Sequence, residues 1–259
     1  MTFKERYGPW ALVTGASAGI GAEFAVQLAG KGLNLVLLAR RKQRLDELAR
    51  RLEHRNRIQT KTIVADLTQP GFLPRVMAET QSIEIGLLVN NAGFGLAGKF
   101  LDHDLEKELA LLDVNCRAPL ILTHLFGRQM AQRRKGGIIF VSSVSGYIAT
   151  PLAATYAASK AYDLFLAEAL GYELAKDGVD VLGLCPGSTA TEFQQIAGLR
   201  PVAPMPVAPV VQSALKQLGK KRLVIPGWRN RFLVLLLKLA PRPAHTLIAG
   251  RVMEKRIAS

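Results

Sequence analysis

The sequence predicts an α/β protein built on a doubly wound parallel sheet. Short runs rich in leucine and β-branched residues alternate with longer amphipathic stretches along most of the 259 residues, which is the pattern of successive βαβ units. The strand-like runs are apolar throughout, as expected when helices cover both faces of the sheet. A chain of this length commonly forms one domain when its architecture is α/β. We therefore expect one domain over residues 1–259, folded as a three-layer sandwich.

The elements follow in order along the chain. The short apolar runs are predicted strands, and the longer amphipathic segments between them are predicted helices. The strands are predicted at residues 10–14, 34–39, 60–65, 85–90, 137–142, 179–185 and 222–225, and the helices at residues 22–31, 42–53, 71–81, 105–134 and 155–176. This alternation is typical of a Rossmann-type sheet.

Four prolines interrupt the pattern after Gly198. They are Pro201, Pro204, Pro206 and Pro209. Because each proline lacks a backbone N–H and disfavours a helix interior, no regular helix is expected before about Val210. The region is predicted to be a loop or lid.

The formal net charge of +14 is concentrated in the last quarter of the chain. Residues 193–259 hold 12 Lys and Arg against one acid, Glu254, whereas residues 1–192 hold 22 against 19. The basic region is interleaved with aliphatic runs and lacks a nucleic-acid recognition motif. Nucleic-acid binding is therefore ranked last among the alternatives, and no nucleic-acid partner is predicted.

Cysteine and histidine usage points to no metal site. Cys116 and Cys185 are too few for a disulfide framework, and neither has metal-ligand spacing. The four histidines, His54, His103, His124 and His245, form no ligand spacing either. The N-terminus lacks an apolar signal-peptide core, and no apolar run approaches the ~20 residues that a membrane span needs. We expect a cytoplasmic protein.

A glycine-rich turn follows the first predicted strand, in Thr14-Gly15-Ala16-Ser17-Ala18-Gly19-Ile20-Gly21. Glycines allow a tight turn and a close backbone approach to a pyrophosphate, and the N-terminus of the next helix attracts the anion. Such a turn alone is often only a turn. Its position between a strand and an apolar helix predicts a dinucleotide site.

Tyr156 and Lys160 are four residues apart, and Ser143 lies thirteen residues upstream of the tyrosine. At this spacing Tyr156 and Lys160 share one face of a helix, so the ammonium can favour the ionised phenol and bring its pKa of ~10 nearer neutrality. The phenol then becomes a usable acid or base. A lone pair of this kind also arises by chance, so the surrounding motifs decide its meaning.

The end of the second predicted strand indicates the cofactor. It reads Leu37-Leu38-Ala39-Arg40-Arg41, where an enzyme that uses NAD would place a carboxylate for the ribose hydroxyls. Arg40 instead offers a guanidinium fork suited to a 2′-phosphate. The alternative is that Arg40 and Arg41 only form the solvated start of a helix. NADP(H) is the predicted cofactor.

These motifs together resemble the short-chain dehydrogenase/reductase family from about Trp10 to about Phe193. They occur in the family's order: Thr14-Gly15 with Gly19 and Gly21, Asp66-Leu67, Asn90-Asn91-Ala92-Gly93, Asn115, Ser143, Tyr156 with Lys160, and Pro186-Gly187. The resemblance implies catalytic roles for Asn115, Ser143, Tyr156 and Lys160. It implies cofactor contacts from Gly15, Ser17, Gly19, Ile20, Gly21, Arg40, Asp66, Leu67, Asn91, Tyr156, Lys160, Pro186, Gly187, Thr189 and Thr191.

The resemblance also assigns roles within the site. Tyr156 would protonate the substrate oxygen, Ser143 would hydrogen-bond it, and Lys160 would bind the nicotinamide ribose. Asn115 would hold a water that relays protons to the lysine, and its place in a predicted helix, where Asn is intrinsically poor, supports a special role. Asn90 would steady the sheet beside the cofactor, and Thr189 and Thr191 compete for the nicotinamide carboxamide.

The function predicted is NADPH-dependent reduction of a hydrophobic ketone, such as an acyl chain or a steroid, or the reverse oxidation. A catalytically idle NADP(H) sensor or scaffold is the alternative, although it would have no need of all four catalytic residues. Members of the family usually form dimers or tetramers, so the resemblance implies a homodimer or homotetramer. Residues 188–215 are expected to form the substrate loop or lid.

Residues 226–259 are expected to form a basic, apolar C-terminal extension, with a helix from about Asn230 to Ala240. Its apolar members are Trp228, Phe232, Leu233, Leu235, Leu236, Leu237 and Leu239, and its basic members are Arg229, Arg231, Lys238 and Arg242. Two interpretations stay open. The leucines cover the pocket or a subunit interface, or the segment lies against an anionic membrane surface.

Overall fold

The computed structural model describes residues 1–200, 202–239 and 241–257, without the side chains of Lys238 and Arg242. Pro201 of the predicted loop, Ala240 at the predicted end of the C-terminal helix, and the last two residues of the predicted extension lie outside the described residues.

Seven parallel strands form one sheet in the order β3-β2-β1-β4-β5-β6-β7. They are β1 (Trp10–Thr14), β2 (Asn34–Ala39), β3 (Thr60–Val64), β4 (Ile85–Asn90), β5 (Gly136–Val141), β6 (Val179–Leu184) and β7 (Leu223–Val224). Each of the seven predicted strands is present, and no end differs from the prediction by more than one residue. The predicted fold class is confirmed: a single-domain, Rossmann-type doubly wound sheet.

Helices cover both faces of this sheet. They are α1 (Phe3–Tyr7), α2 (Gly19–Gly30), α3 (Lys42–Asn56), α4 (Phe72–Thr80), α5 (Leu105–Leu112), α6 (Ala118–Arg133), α7 (Ala154–Glu173), α8 (Phe193–Ile196), α9 (Val207–Gln217), α10 (Trp228–Leu239) and α11 (Arg242–Arg256). The core on one face joins α2, α3 and α9, and the core on the other joins α4, α6 and α7. Burial on both faces explains why the strand sequences are apolar throughout.

The predicted helix over residues 105–134 is divided in the structure. A π-helical turn, Asp113–Arg117, separates α5 from α6. Leu105–Arg133 as a whole is long and apolar enough to cross a membrane by length and composition, which the sequence interpretation did not foresee. Its apolar side chains include Leu122, Phe126 and Met130, which are buried in the core beneath the sheet, so core packing accounts for them.

Several other helical elements differ from the sequence predictions, among them the short helix α8, which lies in the predicted loop. Helix α9 begins at Val207 instead of about Val210, because Pro206 precedes it and Pro209 falls in the first turn, where a missing N–H costs nothing. Helix α1 was not predicted, and a capping box between Thr2 and Glu5 starts it. Helix α11 was not predicted either; it starts after Pro241.

Candidate active site

The carboxyl ends of the central strands open into a cavity of about 430 Å³. It lies where the strand order reverses between β1 and β4, which is where open α/β sheets bind ligands. One end is lined by the glycine-rich turn and the end of β2, and the other by α7, the loop after β6 and α11. A cavity joining these ends can hold an elongated ligand.

The turn between β1 and α2 is tightly packed at its glycines. Gly15 and Gly19 have positive φ angles of 66° and 55°, which residues with a side chain rarely adopt. A Cβ at Gly15 would lie 2.9 Å from Ala92 Cα, and one at Gly21 would collide with the Asn91 side chain and the Gly15 carbonyl. The turn thus presents bare backbone at the N-terminus of α2, which suits a pyrophosphate.

Asn91 ties the chain after β4 to this turn. Its backbone N–H donates to Thr14 Oγ1 at 2.9 Å, and its Nδ2 donates to the Thr14 carbonyl at 2.8 Å. Asn90 points elsewhere, since its Nδ2 donates to Thr123 Oγ1 at 2.8 Å. Asn91 lines the cavity, whereas Asn90 fastens β4 to α6 in the interior.

The cavity end beside β2 carries an exposed arginine and no carboxylate on β2. Ala39 and Arg40 line it together with Asp66 and the buried Leu67. The Arg40 side chain is 72% exposed, and its Nη1 lies 3.8 Å from Asp66 Oδ2. The other Asp66 oxygen accepts hydrogen bonds from the Thr68 backbone and hydroxyl, both at 3.0 Å. Because the Arg40 side chain is largely exposed and its contact with Asp66 is long, the guanidinium can also bind an anion.

Arg41, for which the solvated start of a helix was the alternative interpretation, is part of the same cavity wall. Its Nε donates to Ser17 Oγ at 3.2 Å, and its Nη1 lies 2.8 Å from Glu192 Oε2. Arg44 lies 2.6 Å from the other Glu192 oxygen. These contacts join the glycine-rich turn, α3 and the loop after β6. The sequence could not reveal them because Glu192 is 151 positions from Arg41.

Tyr156 lies in the first turn of α7 and faces the cavity beside Ser143, which follows β5. Its ring packs against Phe193 with centroids 5.2 Å apart. Burial raises the pKa of the Tyr156 phenol, and the Lys160 charge and hydrogen bonding with Ser143 offset that effect only in part. The predicted shift towards neutrality is therefore wrong as a net effect, because burial outweighs the ammonium.

The three neighbouring serines have different surroundings. Ser142 Oγ donates to the Lys160 carbonyl at 2.6 Å and so fastens β5 to α7. Ser143 Oγ accepts a hydrogen bond from the Ser145 backbone at 3.1 Å, which leaves its hydroxyl proton for another acceptor. This geometry favours Ser143, the serine chosen by its spacing, as the cavity donor.

Lys160 is held by a carboxylate that the sequence interpretation missed. Its Nζ donates to Asp163 Oδ2 and to the Val141 carbonyl, both at 2.9 Å, and both charged side chains are buried. Burial alone lowers the pKa of the Lys160 ammonium, but the Asp163 carboxylate reverses this and the net shift is upward. The i,i+3 spacing was the available signal.

The π-helical turn explains Asn115. It places the side chain in the interior, where Oδ1 accepts from the Phe94 backbone N–H at 3.1 Å. The Nδ2 group donates to the Phe94 carbonyl and to Ser159 Oγ, both at 3.0 Å. A Cβ on Gly93 would lie 3.1 Å from Asn115 Oδ1 and 3.5 Å from Lys160 Nζ, so the three residues are neighbours. Single π turns are frequent at functional sites.

The loop after β6 closes the cavity from above. The Pro186 carbonyl accepts from the Val144 backbone at 3.0 Å, and Thr189 Oγ1 donates to the Gly187 carbonyl at 3.0 Å. Thr191 Oγ1 accepts from the Phe193 backbone. Both threonines line the cavity, so the choice between them stays open.

Most of the predicted site residues share one cavity. The lining includes Gly15, Ser17, Gly19, Ile20, Arg40, Asp66, Leu67, Asn91, Ser143, Tyr156, Lys160, Pro186, Gly187, Thr189 and Thr191. Gly21 and Asn115 are not part of the lining. Gly21 packs within the glycine-rich turn, and Asn115 hydrogen-bonds the backbone of Phe94, which lines the cavity. The residues not anticipated are Arg41, Asp163, Phe193 and Arg256.

The described part of the chain contains no group of three or more His, Cys, Asp or Glu side chains that could hold a metal ion. Cys116 and Cys185 are free thiols. Burial raises their pKa to about 11 and about 12 respectively, so neither offers a thiolate near neutral pH.

The fold and the cavity define a dinucleotide-binding oxidoreductase of the Rossmann type. The sequence matches the family described as short chain dehydrogenase over residues 9–199. The chain belongs to this family. It is an oxidoreductase that acts on CH–OH and C=O groups.

Two curated relatives align with most of this chain. A 7beta-hydroxysteroid dehydrogenase from Collinsella aerofaciens is 34% identical over 238 residues, covering 89% of this chain and 90% of the relative. A very-long-chain 3-oxoacyl-CoA reductase from Bos taurus is 35% identical over 217 residues, covering 82% of this chain and 69% of the relative.

Two solved structures are similar over nearly the full fold. One, from work on 7beta-hydroxysteroid dehydrogenase stereoselectivity, has a TM-score of 0.90 and 31% identity, covering 96% of this chain and 99% of that one. A short-chain dehydrogenase from Sphingobium yanoikuyae in complex with NADPH has a TM-score of 0.80 and 34% identity, covering 88% and 92% respectively.

Proposed function

We propose that this protein interconverts a hydrophobic ketone and its secondary alcohol with NADP(H), and that the substrate is a steroid or a long acyl chain. The observation that carries the proposal is the meeting of Tyr156, Ser143 and Lys160 at one end of a cavity whose other end is a dinucleotide cradle. The relatives named for steroid and oxoacyl substrates support the substrate class.

The residues present fit a nicotinamide dinucleotide. A Cβ at Gly15 or Gly21 would fill the space where a pyrophosphate approaches the backbone. Arg40 would bind the 2′-phosphate, with Arg41 and Ser17 beside it. When bound, NADPH supplies a hydride to the substrate. A similar protein in complex with NADPH supports this preference.

The catalytic roles follow from proton chemistry. Tyr156 donates its phenolic proton to the substrate oxygen as the carbonyl π bond opens and a C–H bond forms. The raised pKa of Tyr156 keeps the phenol protonated near neutral pH, and the protonated phenol is the form that reduction needs. Ser143 donates a hydrogen bond to the same oxygen while negative charge develops there.

Lys160 and Asn115 act behind the reacting atoms. The Lys160 ammonium reaches both the cavity wall and Asp163, so it would bind the nicotinamide ribose and favour the tyrosinate that remains after proton transfer. Asn115 would hold the water through which the proton is replaced. Residues 188–215 would act as the substrate lid, and residues 226–259 as the extension that completes the pocket.

A screen of ketones and secondary alcohols tests the proposal. Steroid ketones, long-chain oxo compounds and small polar ketones would be offered with NADPH, and the alcohols with NADP, while nicotinamide absorbance is followed. Turnover is expected with the hydrophobic members. Activity confined to small polar ketones would overturn the substrate class. Tight NADPH binding with no turnover of any member would favour the idle sensor instead.

The quaternary state is a further part of the proposal. Helices α5, α6 and α7 expose large apolar side chains: Leu105, Leu109, Leu112, Leu120, Phe165 and Tyr172. A second copy of the chain would cover them, because exposed apolar patches on several adjacent helices commonly mark interfaces. We propose a homodimer or homotetramer, which light scattering after size-exclusion chromatography measures directly. A monomer at all concentrations would contradict it.

Membrane contact is a secondary proposal for the C-terminal helices. One face of α10 exposes Trp228, Phe232, Leu235, Leu236 and Leu239, and α11 exposes Leu247, Ile248 and Val252. The excess of cations in this region suits an anionic lipid surface. The protein would work in the cytoplasm, with these helices resting on a membrane.

Liposome sedimentation tests this contact. Binding to anionic vesicles at low salt, weaker binding at high salt and none to neutral vesicles are expected. Leu235→Glu with Leu239→Glu should abolish sedimentation, whereas Met77→Glu, an exposed site on α4, should not. If the protein sedimented under no condition, membrane contact would be ruled out. The leucines would then cover the pocket or form a subunit interface.

A further inference from the structure

Arg256 ends α11 and lines the substrate end of the cavity together with Met253 and Leu199. Two backbone contacts hold it there. The Arg200 N–H donates to the Arg256 carbonyl at 2.8 Å, and Ile257 forms an isolated antiparallel bridge with Leu199. The C-terminal end of α11 is thereby fastened to the loop that covers the cavity.

The Arg256 guanidinium differs from the other cavity cations in its partners. Arg40 lies near Asp66, and Arg41 is paired with Glu192. Lys160 is paired with Asp163. Within the described residues, Arg256 has no carboxylate partner. Its Nε donates to the Arg200 carbonyl at 3.4 Å, and neither Nη group donates to another described residue.

Burial makes this cation costly without a ligand. Arg256 is partly buried, and desolvation lowers its pKa. Arg256 and Tyr156 line the same cavity, and the Arg256 charge offsets a small part of the upward shift in the pKa of the phenol. The wall around it is apolar, with Ile196, Leu199 and Met253.

We propose that Arg256 binds a carboxylate carried on the apolar body of the substrate. The inference rests on the proposed function, and it narrows the substrate class to ketones and alcohols that are also carboxylic acids. The two Nη groups match the planar geometry of a carboxylate. The apolar wall excludes water from the pair and strengthens it.

A carboxylate fits this place better than a phosphate. Arg256 is the single cation that the substrate end of the cavity offers without a carboxylate partner among the described residues. One guanidinium balances the charge of a monoanion, whereas a phosphate at neutral pH carries more charge than it can neutralise. Arg200 is exposed and does not line the cavity.

The test compares acids with their esters. A keto-steroid with a side-chain carboxylate and a long-chain oxo acid, each beside its methyl ester, would be reduced with saturating NADPH by four forms of the protein. These are the unaltered chain, Arg256→Gln, Arg256→Lys and Arg251→Gln, the last an exposed arginine on the same helix.

Arg256→Gln should lower kcat/KM for the acid by about 10- to 100-fold, the range for a hydrogen bond to a charged group. The loss should appear mainly in KM and spare the ester. Arg256→Lys should lose less, and Arg251→Gln nothing. Equal losses for acid and ester would overturn the inference, because the residue would then act only through Tyr156. An unaltered chain that reduces the ester as well as the acid would also overturn it. No turnover of either compound would instead count against the proposed function.

Discussion

Two regions build the cavity, and they are fixed in different ways. Residues 10–193 form the sheet edge, the glycine-rich turn and the start of α7, where backbone geometry and buried polar contacts determine each position. Residues 226–257 form two helices with much of their apolar surface exposed. Under the proposed function, the first region supplies the reacting groups, and the second region contributes to the choice of substrate. Changes in the first should affect every substrate, and changes in the second only some.

The largest expected effect is at the phenol. Tyr156→Phe should lower kcat by about 10³-fold for all substrates, within the usual contribution of general acid catalysis. NADPH affinity should remain, because the ring can still pack on Phe193. Single-turnover absorbance and NADPH fluorescence titration measure the two quantities.

Tyr172→Phe is the matched control for this change. Tyr172 is exposed on the same helix, so its variant should keep full activity. If Tyr156→Phe retained more than about a tenth of kcat, Tyr156 would not be the acid. A loss for only some substrates would break the division between the two regions.

The first region was also the more predictable one. Three strands, including those that carry the glycine-rich turn and the arginine, have the predicted bounds, because short apolar runs between turn residues leave little choice of where a strand begins and ends. The glycine-rich turn was predicted from local spacing, since a turn between a strand and a helix is a local structure, whereas Asp66, Asn91 and the loop after β6 were predicted from the family resemblance. Gly15, Gly19 and Gly21 are the examples of local spacing.

What sequence could not supply depends on distant contacts or on competing energies. The Arg41 pair with Glu192 joins residues far apart in the chain. The raised pKa of Tyr156 depends on how deeply folding buries the phenol, which spacing alone does not report. Arg256, at the end of α11, is held at the cavity by the contacts of this segment with Leu199 and Arg200. No sequence motif predicts these contacts.

The second prediction concerns the glycine-rich turn. Gly21→Ala should weaken NADPH binding by about 10- to 100-fold, because the new Cβ would collide with Asn91 and with the Gly15 backbone, and overpacking of this kind costs about 1–3 kcal/mol. Gly30→Ala is the control, since nothing lies within 4 Å of a Cβ there. Isothermal titration with NADPH compares them. Equal NADPH affinities for the two variants would show that the glycine-rich turn can accommodate a Cβ at position 21, contrary to the packing in the structure.

The third prediction concerns cofactor choice. Ala39→Asp with Arg40→Leu should change the ratio of NADPH to NADH affinity by about 10-fold in favour of NADH, since a carboxylate attracts ribose hydroxyls and repels a phosphate. Arg55→Leu, an exposed arginine in the last turn of α3, removes the same charge away from the cavity and should leave the ratio unchanged. A parallel loss for both cofactors in the double variant would mean that Arg40 does not bind the 2′-phosphate.

The smallest expected effect is a shift in pH dependence from Asp163→Asn. Oxidation of the alcohol needs the Tyr156 phenolate, so kcat/KM should rise with pH as that raised pKa is approached. The Asp163 charge is one of the causes that raise it, while Lys160 and Arg256 lower it.

Removing that charge should therefore lower the pKa of Tyr156 and move the rising limb to lower pH, with a few-fold gain in rate below its midpoint. The asparagine oxygen can still accept from Lys160, which keeps the ammonium in place beside the Val141 carbonyl. Cys116 and Tyr162 also face this cluster, and their raised pKa values place them in the neutral form over the lower part of the range.

Glu173→Gln removes one acid from the exposed end of the same helix and is the control. It should leave the limb unmoved, and thermal melting of both variants separates a loss of stability from a change in titration. A limb that moves to higher pH in Asp163→Asn would show that Lys160 loses its proton without its partner. In that case Asp163 would be required to keep Lys160 charged, and the reaction would depend on the Lys160–Asp163 ion pair as well as on Tyr156.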